Sequence, residues 1–187
     1  NKNAIQTRSE CNYFPKDKGD LKAIIKERVN EDTQCDLNDI WIGDILDLSY
    51  LFSDSAFNGD ISRWDVSSVE NMSGMFYRSS FNGDISNWDV SNVEYMADTF
   101  SESAFNGDIS RWEVDKVQDM SWMFFKSDFN GDISNWDVRN VIDMDYMFSG
   151  SKFKGDIDSW DVSSVEYTKS MFFKCPLEKN PPKWYKG

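Results

Sequence analysis

The chain has no histidine, three cysteines, four prolines and ten glycines in 187 residues. Without histidine there is no Ser-His or Cys-His nucleophile pair and no imidazole metal ligand. The thiols of Cys11, Cys35 and Cys175 fit no zinc spacing. Cys11 and Cys35 lie near one end of the chain, so they form one disulfide in an oxidising compartment or else all three stay free. Basic charge is the minority, with 20 Lys and Arg against 33 Asp and Glu and a formal charge of -13. Nucleic acid and anionic membrane surfaces are therefore not expected as partners. Apolar runs are only a few residues long, so no membrane insertion is expected. The chain begins at Asn1 rather than Met, and any signal or anchor is expected to lie outside it.

Aromatic residues are abundant, 16% of the chain with 14 Phe and 8 Trp, which argues for a packed core and against disorder. They recur in register. Five 24-residue copies follow one another without a gap over 57–176: FNGDISRWDVSSVENMSGMFYRSS, FNGDISNWDVSNVEYMADTFSESA, FNGDISRWEVDKVQDMSWMFFKSD, FNGDISNWDVRNVIDMDYMFSGSK and FKGDIDSWDVSSVEYTKSMFFKCP. A degenerate copy occupies 33–56 and a broken one 177–187, where Trp184 keeps the Trp column. Such a period predicts a solenoid of stacked units.

Ile61, Trp64, Val66 and Val69 are spaced three, two and three, the spacing of a leucine-rich-repeat core. This predicts a strand over 63–67 with Trp64 and Val66 inward and Arg63, Asp65 and Ser67 outward. Val69, Met72, Met75 and Phe76 then follow at three, three and one, which predicts a short helix, with Ser67 and Glu70 as its capping box. Asn58-Gly59-Asp60 reads as the returning turn, its glycine left-handed. Residues 1–32 are expected to cap the stack. A helix over 18–30 would have Asp20 as N-cap and Leu21, Ile24, Ile25 and Val29 on one face. Trp184 and Tyr185 are placed to close the far end. The expected fold is thus an α/β solenoid, a right-handed leucine-rich-repeat-like stack of strand-plus-short-helix units with an N-terminal capping helix.

The strings DISNWDVSNVEYM and WDVSSVENMSGMF resemble those of the BspA-like leucine-rich-repeat surface proteins, in the mycoplasma-type lipoprotein repeat group. The resemblance covers roughly 33–187. It implies a secreted or cell-surface location and an adhesion or host-contact role, and it supplies no catalytic residues. Cys11 follows Arg8-Ser9-Glu10, which is not a lipidation signal.

Three columns carry chemistry. Asp65, Asp89, Glu113, Asp137 and Asp161, beside Arg63, Arg111 and Arg139, form the expected outward face. It is either the surface that holds a protein partner, favouring a basic one, or a solvated acidic face. Asp60, Asp84, Asp108, Asp132 and Asp156 form a calcium ladder or satisfy their own turns. Trp64, Trp88, Trp112, Trp136, Trp160 and Trp184 stack on sugars if exposed or form an internal spine. The acids are near-identical copies, whereas an active site needs differentiated ones. No enzyme and no cofactor are expected. The leading expectation is a protein-interaction or adhesion module, with calcium or carbohydrate binding and a purely structural role as alternatives.

Overall fold

Every unit carries several oxygen-bearing side chains able to reach the amide two residues ahead, and this decides the backbone. Asp and Asn do so readily, closing Asx turns that compete with helix and sheet. In the unit from Phe57, Asp60 accepts from the Ser62 amide at 2.9 Å, Asp65 from Ser67 at 3.1 Å and Asn71 from Ser73 at 2.9 Å. Ser79 Oγ closes a fourth corner, accepting from the Phe81 amide at 3.1 Å. Residues 4–187 are described by the computed structural model.

The expected strand-plus-helix unit is not formed. Among the described residues there is one α-helix, α1 (Lys18–Glu31), one single-turn 3₁₀ segment (Arg8–Glu10) and no strand. The leucine-rich-repeat α/β solenoid is therefore the wrong description. Pairing between units is confined to isolated parallel bridges such as Asn71 with Tyr95 and Tyr95 with Asp119. Asx corners on both sides of Trp64 leave no extended run long enough for a strand over 63–67.

The segment expected to be helical is a run of overlapping turns. The Met75, Tyr77 and Ser79 amides close back onto Met72, Gly74 and Phe76 carbonyls. The alternate amides of Met72, Gly74, Phe76 and Arg78 donate to Tyr95, Ala97, Thr99 and Ser101 of the next unit at 2.8–3.0 Å. Half of the donors a helix would keep internally are thus given to the neighbour. Two positions per run have positive φ, for example Trp122 (59°) and Lys126 (48°), a conformation that helices of L-residues do not contain. Ser67, expected in a capping box with Glu70, instead donates to Asp65 at 2.6 Å.

Successive units lie side by side with residue i against i+24, and the core is a set of aromatic stacks. Phe52, Phe76, Phe100, Phe124, Phe148 and Phe172 follow one another with ring centroids 5.6–5.8 Å apart. A parallel row from Phe57 to Phe153 packs against them. Trp64, Trp88, Trp112, Trp136 and Trp160 are buried, each indole N–H donating to a carbonyl of the preceding row at 2.9–3.1 Å, Leu37 for Trp64 and an Ile for the other four. Asn58, Asn82, Asn106 and Asn130 form a ladder, each side-chain oxygen accepting the amide one unit on at 2.8–2.9 Å.

Helix α1 covers the first unit through Leu21 and Ile25, both buried. Its N-cap is Asp17, which accepts from the Asp20 amide at 2.9 Å, while Asp20 accepts from the Lys16 amide. The expected cap, Asp20, is the reciprocal partner. Lys18 Nζ and Arg28 pin the helix to Asp47 at 2.9 Å and Asp39 at 3.2 Å. At the other end Trp184 donates to the Ile157 carbonyl at 2.9 Å, and Tyr185 meets Phe172 edge-on at 4.9 Å.

Candidate functional site

The expected outward column lies on the surface, but its two ends differ. Arg63 is not free: its guanidinium donates to the Ala4 carbonyl at 2.7 Å and pairs with Glu10 at 3.1 Å. The Gln6 amide bonds to the Arg63 carbonyl, so the N-terminal segment lies across Arg63 and Asp65. The open stretch runs from Asp89 through Glu113 and Asp137 to Asp161. Asp89, Asp137 and Asp161 each turn one carboxylate oxygen onto the amide two residues ahead at 3.0–3.2 Å. The second oxygen of Asp137 is taken by Arg139 at 2.7 Å, whereas those of Asp89 and Asp161 have no ion pair among the described residues. Glu113 is one methylene longer.

The two arginines beside this stretch differ, Arg111 reaching the neighbouring unit and Arg139 staying within its own. Arg139 pairs with Asp137 of its own unit at 2.7 Å, and Arg111 donates to Asn87. Further bonds between units run through amides and Lys116, which donates to Asn92 at 2.7 Å, while Asn92 and Asn140 donate to the Ser67 and Asp115 carbonyls. The turn bonds hold the Asp137 and Asp161 carboxyls below the ordinary carboxylate range, through Arg139 in the first case and Ser163 in the second.

The other acidic column is tied to its own turns. Asp60, Asp84, Asp108, Asp132 and Asp156 each accept from the amide two residues ahead at 2.9–3.0 Å. A calcium ion takes six to eight oxygens, and among the described residues no three acidic or thiol groups converge. Ser110 and Ser134 hydroxyls and amides lower the Asp108 and Asp132 carboxyls. The Trp column is the internal spine, so those indoles present no platform to a sugar.

Of the two arrangements open to the cysteines, a Cys11–Cys35 disulfide or three free thiols, the structure has the second. Cys11 is buried against Gln6 and the Thr7 carbonyl, and burial pushes each thiol up, Cys175 included.

Two carboxyls go the other way. Burial raises Asp98 and Asp143. A raised native value means the charged form is disfavoured on folding, a cost present at neutral pH and relieved as pH falls through the raised value. The lowered turn aspartates contribute stability above their unfolded values, about 4, and lose it as pH falls through their lower native ones. The melting temperature is expected to fall on acidification below about pH 4. Asp98→Asn is expected to raise it near neutrality and to change it little in acid. Asn tolerates the positive φ of 58° at this position. Equal effects at both pH values would show that the charge of Asp98 is not the cause.

One surface was missed: the outer side of the turn runs, where the half-buried rings of Tyr77, Trp122, Phe125 and Tyr146 and the exposed ring of Phe173 sit among Arg and Lys. Trp122 stacks on Tyr146 at 4.2 Å and meets Phe125 edge-on at 4.6 Å. Its signal was available in the last residues of each copy, which alternate over two units rather than one.

No helix among the described residues is long and apolar enough to cross a membrane. No curated protein and no solved structure matches the chain. One family profile does, over 22–128 and again over 101–185. These two matches together take in most of the sequence and every full copy of the unit. The chain belongs to the family described as Mycoplasma protein of unknown function, DUF285.

Proposed function

We propose that the chain is a non-enzymatic interaction module, displayed at or outside a cell surface, that holds a basic protein partner on the row from Asp89 to Asp161. The observation that carries this reading is the tethered carboxylate. Three of the four acids are fixed by their own turns, so the row is ordered before binding and loses little side-chain freedom on contact. Repetition places Asp89, Glu113 and Asp161 along one line, with Asp137 between them paired to Arg139, an arrangement suited to a partner with a row of Lys or Arg. The BspA-like resemblance of the unit favours a surface location and an adhesive role.

The test is a capture experiment with Asp89→Asn, Glu113→Gln and Asp137→Asn combined. The amides keep the acceptor oxygens that close the Asp89 and Asp137 turns and remove the charge with the exposed Asp137–Arg139 pair, which contributes little, so the variant should melt close to the wild type. A basic surface protein retained by the wild type and lost by the variant supports the reading. Equal retention of every captured protein overturns it.

A further inference from the structure

The turn runs carry a pattern with twice the period of the sequence repeat. Tyr77-Arg78, Phe125-Lys126 and Phe173-Lys174 occupy one pair of positions in alternate units, and Ser53-Asp54, Ser101-Glu102 and Ser149-Gly150 occupy it in the units between. All six second-position residues have φ of 48–68°, so they leave the backbone in one geometry. Each cation lies over the ring before it: Arg78 over Tyr77 at 5.0 Å, Lys126 over Phe125 at 5.0 Å and Lys174 over Phe173 at 5.1 Å. Such contacts are weak at exposed sites, enough to orient the cation but not to withhold it. Arg78 leans on Glu102 at 3.6 Å. Lys126 and Lys174 have no ion pair among the described residues, in a chain of formal charge -13.

The spacing selects the ligand. Neighbouring chains in a parallel stack lie about 4.8 Å apart, so alternate units place the cations about 10 Å apart. Between them stand Glu102, which repels an anion, and Gly150, which ignores one, and Asp54 lies just before Arg78 in the row. A nucleic acid strand carries a charge every ~3.4 Å, and an extended acidic peptide turns one to a given face every ~6.6 Å. Either would press anions against Glu102. A ligand that fits has one anion per two units and a neutral stretch between. An extended β-linked polysaccharide in which an acidic sugar alternates with a neutral one has that repeat. The faces of its sugars offer C–H groups to aromatic rings, and the half-buried Trp122–Tyr146 stack beside Lys126 provides such a ledge, with Lys169 lying 5.8 Å from the Tyr146 ring.

We propose that this face binds an extended alternating acidic polysaccharide, its carboxylates falling in turn on Arg78, Lys126 and Lys174. The site is separate from the row Asp89 to Asp161 and does not depend on a protein partner there.

The test is affinity electrophoresis of the intact chain in native gels that contain hyaluronan, polygalacturonate (a carboxylate on every sugar), poly-glutamate or neutral dextran. Retardation is expected with hyaluronan above the other three, and it should weaken with salt. Lys126→Gln and Lys174→Gln are exposed changes that leave the melting curve in place. Each is expected to weaken hyaluronan binding about fivefold, the scale of one exposed ion pair. Phe125→Ser, which copies the residue of the intervening units, is expected to weaken it as well. Glu102→Lys fills the gap in the row and is expected to bring polygalacturonate up to the level of hyaluronan. The variant carrying Asp89→Asn, Glu113→Gln and Asp137→Asn should bind hyaluronan as the wild type does. Equal retardation on poly-glutamate or polygalacturonate by the wild type would overturn the proposal in favour of an acidic peptide or general polyanion surface. Lack of retardation on hyaluronan, or retardation untouched by the lysine changes, would overturn it outright.

Discussion

Trp112→Ala is expected to lower the unfolding free energy by about 3–5 kcal/mol, and Trp112→Phe by about 1–2 kcal/mol. The indole is 3% exposed, lies in the middle of the stack and packs near Phe100 with ring centroids 6.1 Å apart. Removing it opens a cavity bounded by units on both sides, neither of which can close in without breaking its own 24-residue register. The Phe variant keeps most of the ring and loses the bond from Nε1 to the Ile85 carbonyl at 3.1 Å. That carbonyl still accepts from the Trp88 amide, so no orphaned acceptor adds to the cost. Trp184 makes the same bond at the end of the stack but is only partly buried, and Trp184→Ala should cost clearly less than Trp112→Ala. Urea titrations of the three variants give the comparison. Equal losses at Trp112 and Trp184 would mean that the indole column does not couple neighbouring units.

The inward positions were readable because burial leaves the same mark in any backbone. Trp64, Val66, Val69, Met72 and Phe76 are all buried, as their apolar spacing required. What that spacing could not decide was the hydrogen bonding. Intervals of three, three and one suit a helix, and they equally suit overlapping turns in which alternate amides serve the next unit. The positive-φ positions left little trace, because Tyr50, Asp98, Trp122, Tyr146 and Ser170 share one column with Gly74, so glycine marks it in only one unit. Thr99 is fully buried where other units have Met or Leu, its hydroxyl donating to the Met96 and Met72 carbonyls at 2.8 and 3.1 Å, a substitution that hydropathy alone reads as a surface position. The acidic columns were visible as columns. Their tethers were written in the recurring Asp-x-Ser, a local turn signal that the repeat-level reading as a strand overrode.

The glycine of Asn-Gly-Asp is the sharpest correction and gives the second large effect. Gly59 does not have positive φ, unlike Gly74 and Gly150, so its role is not left-handed backbone but close approach. A Cβ there would stand 1.9 Å from the Cys35 carbonyl oxygen, 2.7 Å from the Phe57 ring and 2.8 Å from the Gln34 carbonyl carbon. At Gly155 the contacts under 3 Å are with the Phe153 ring alone, at 2.8 and 2.9 Å. A ring can tilt, whereas the Cys35 carbonyl is held by the Asp60 amide at 3.1 Å and cannot retreat without parting the first two units. Gly59→Ala is therefore expected to exceed the usual overpacking cost of about 1–3 kcal/mol, with Gly155→Ala inside it. The damage should also be directional. Parting the units at Cys35 loosens the first one, on which α1 is docked through Lys18 and Asp47, and leaves the stack beyond Phe81 in place. Hydrogen exchange should then quicken through α1 and residues 33–60 in Gly59→Ala while the amides of 96–148 stay protected. Uniform quickening along the chain would show instead that the stack and its cap unfold as one unit.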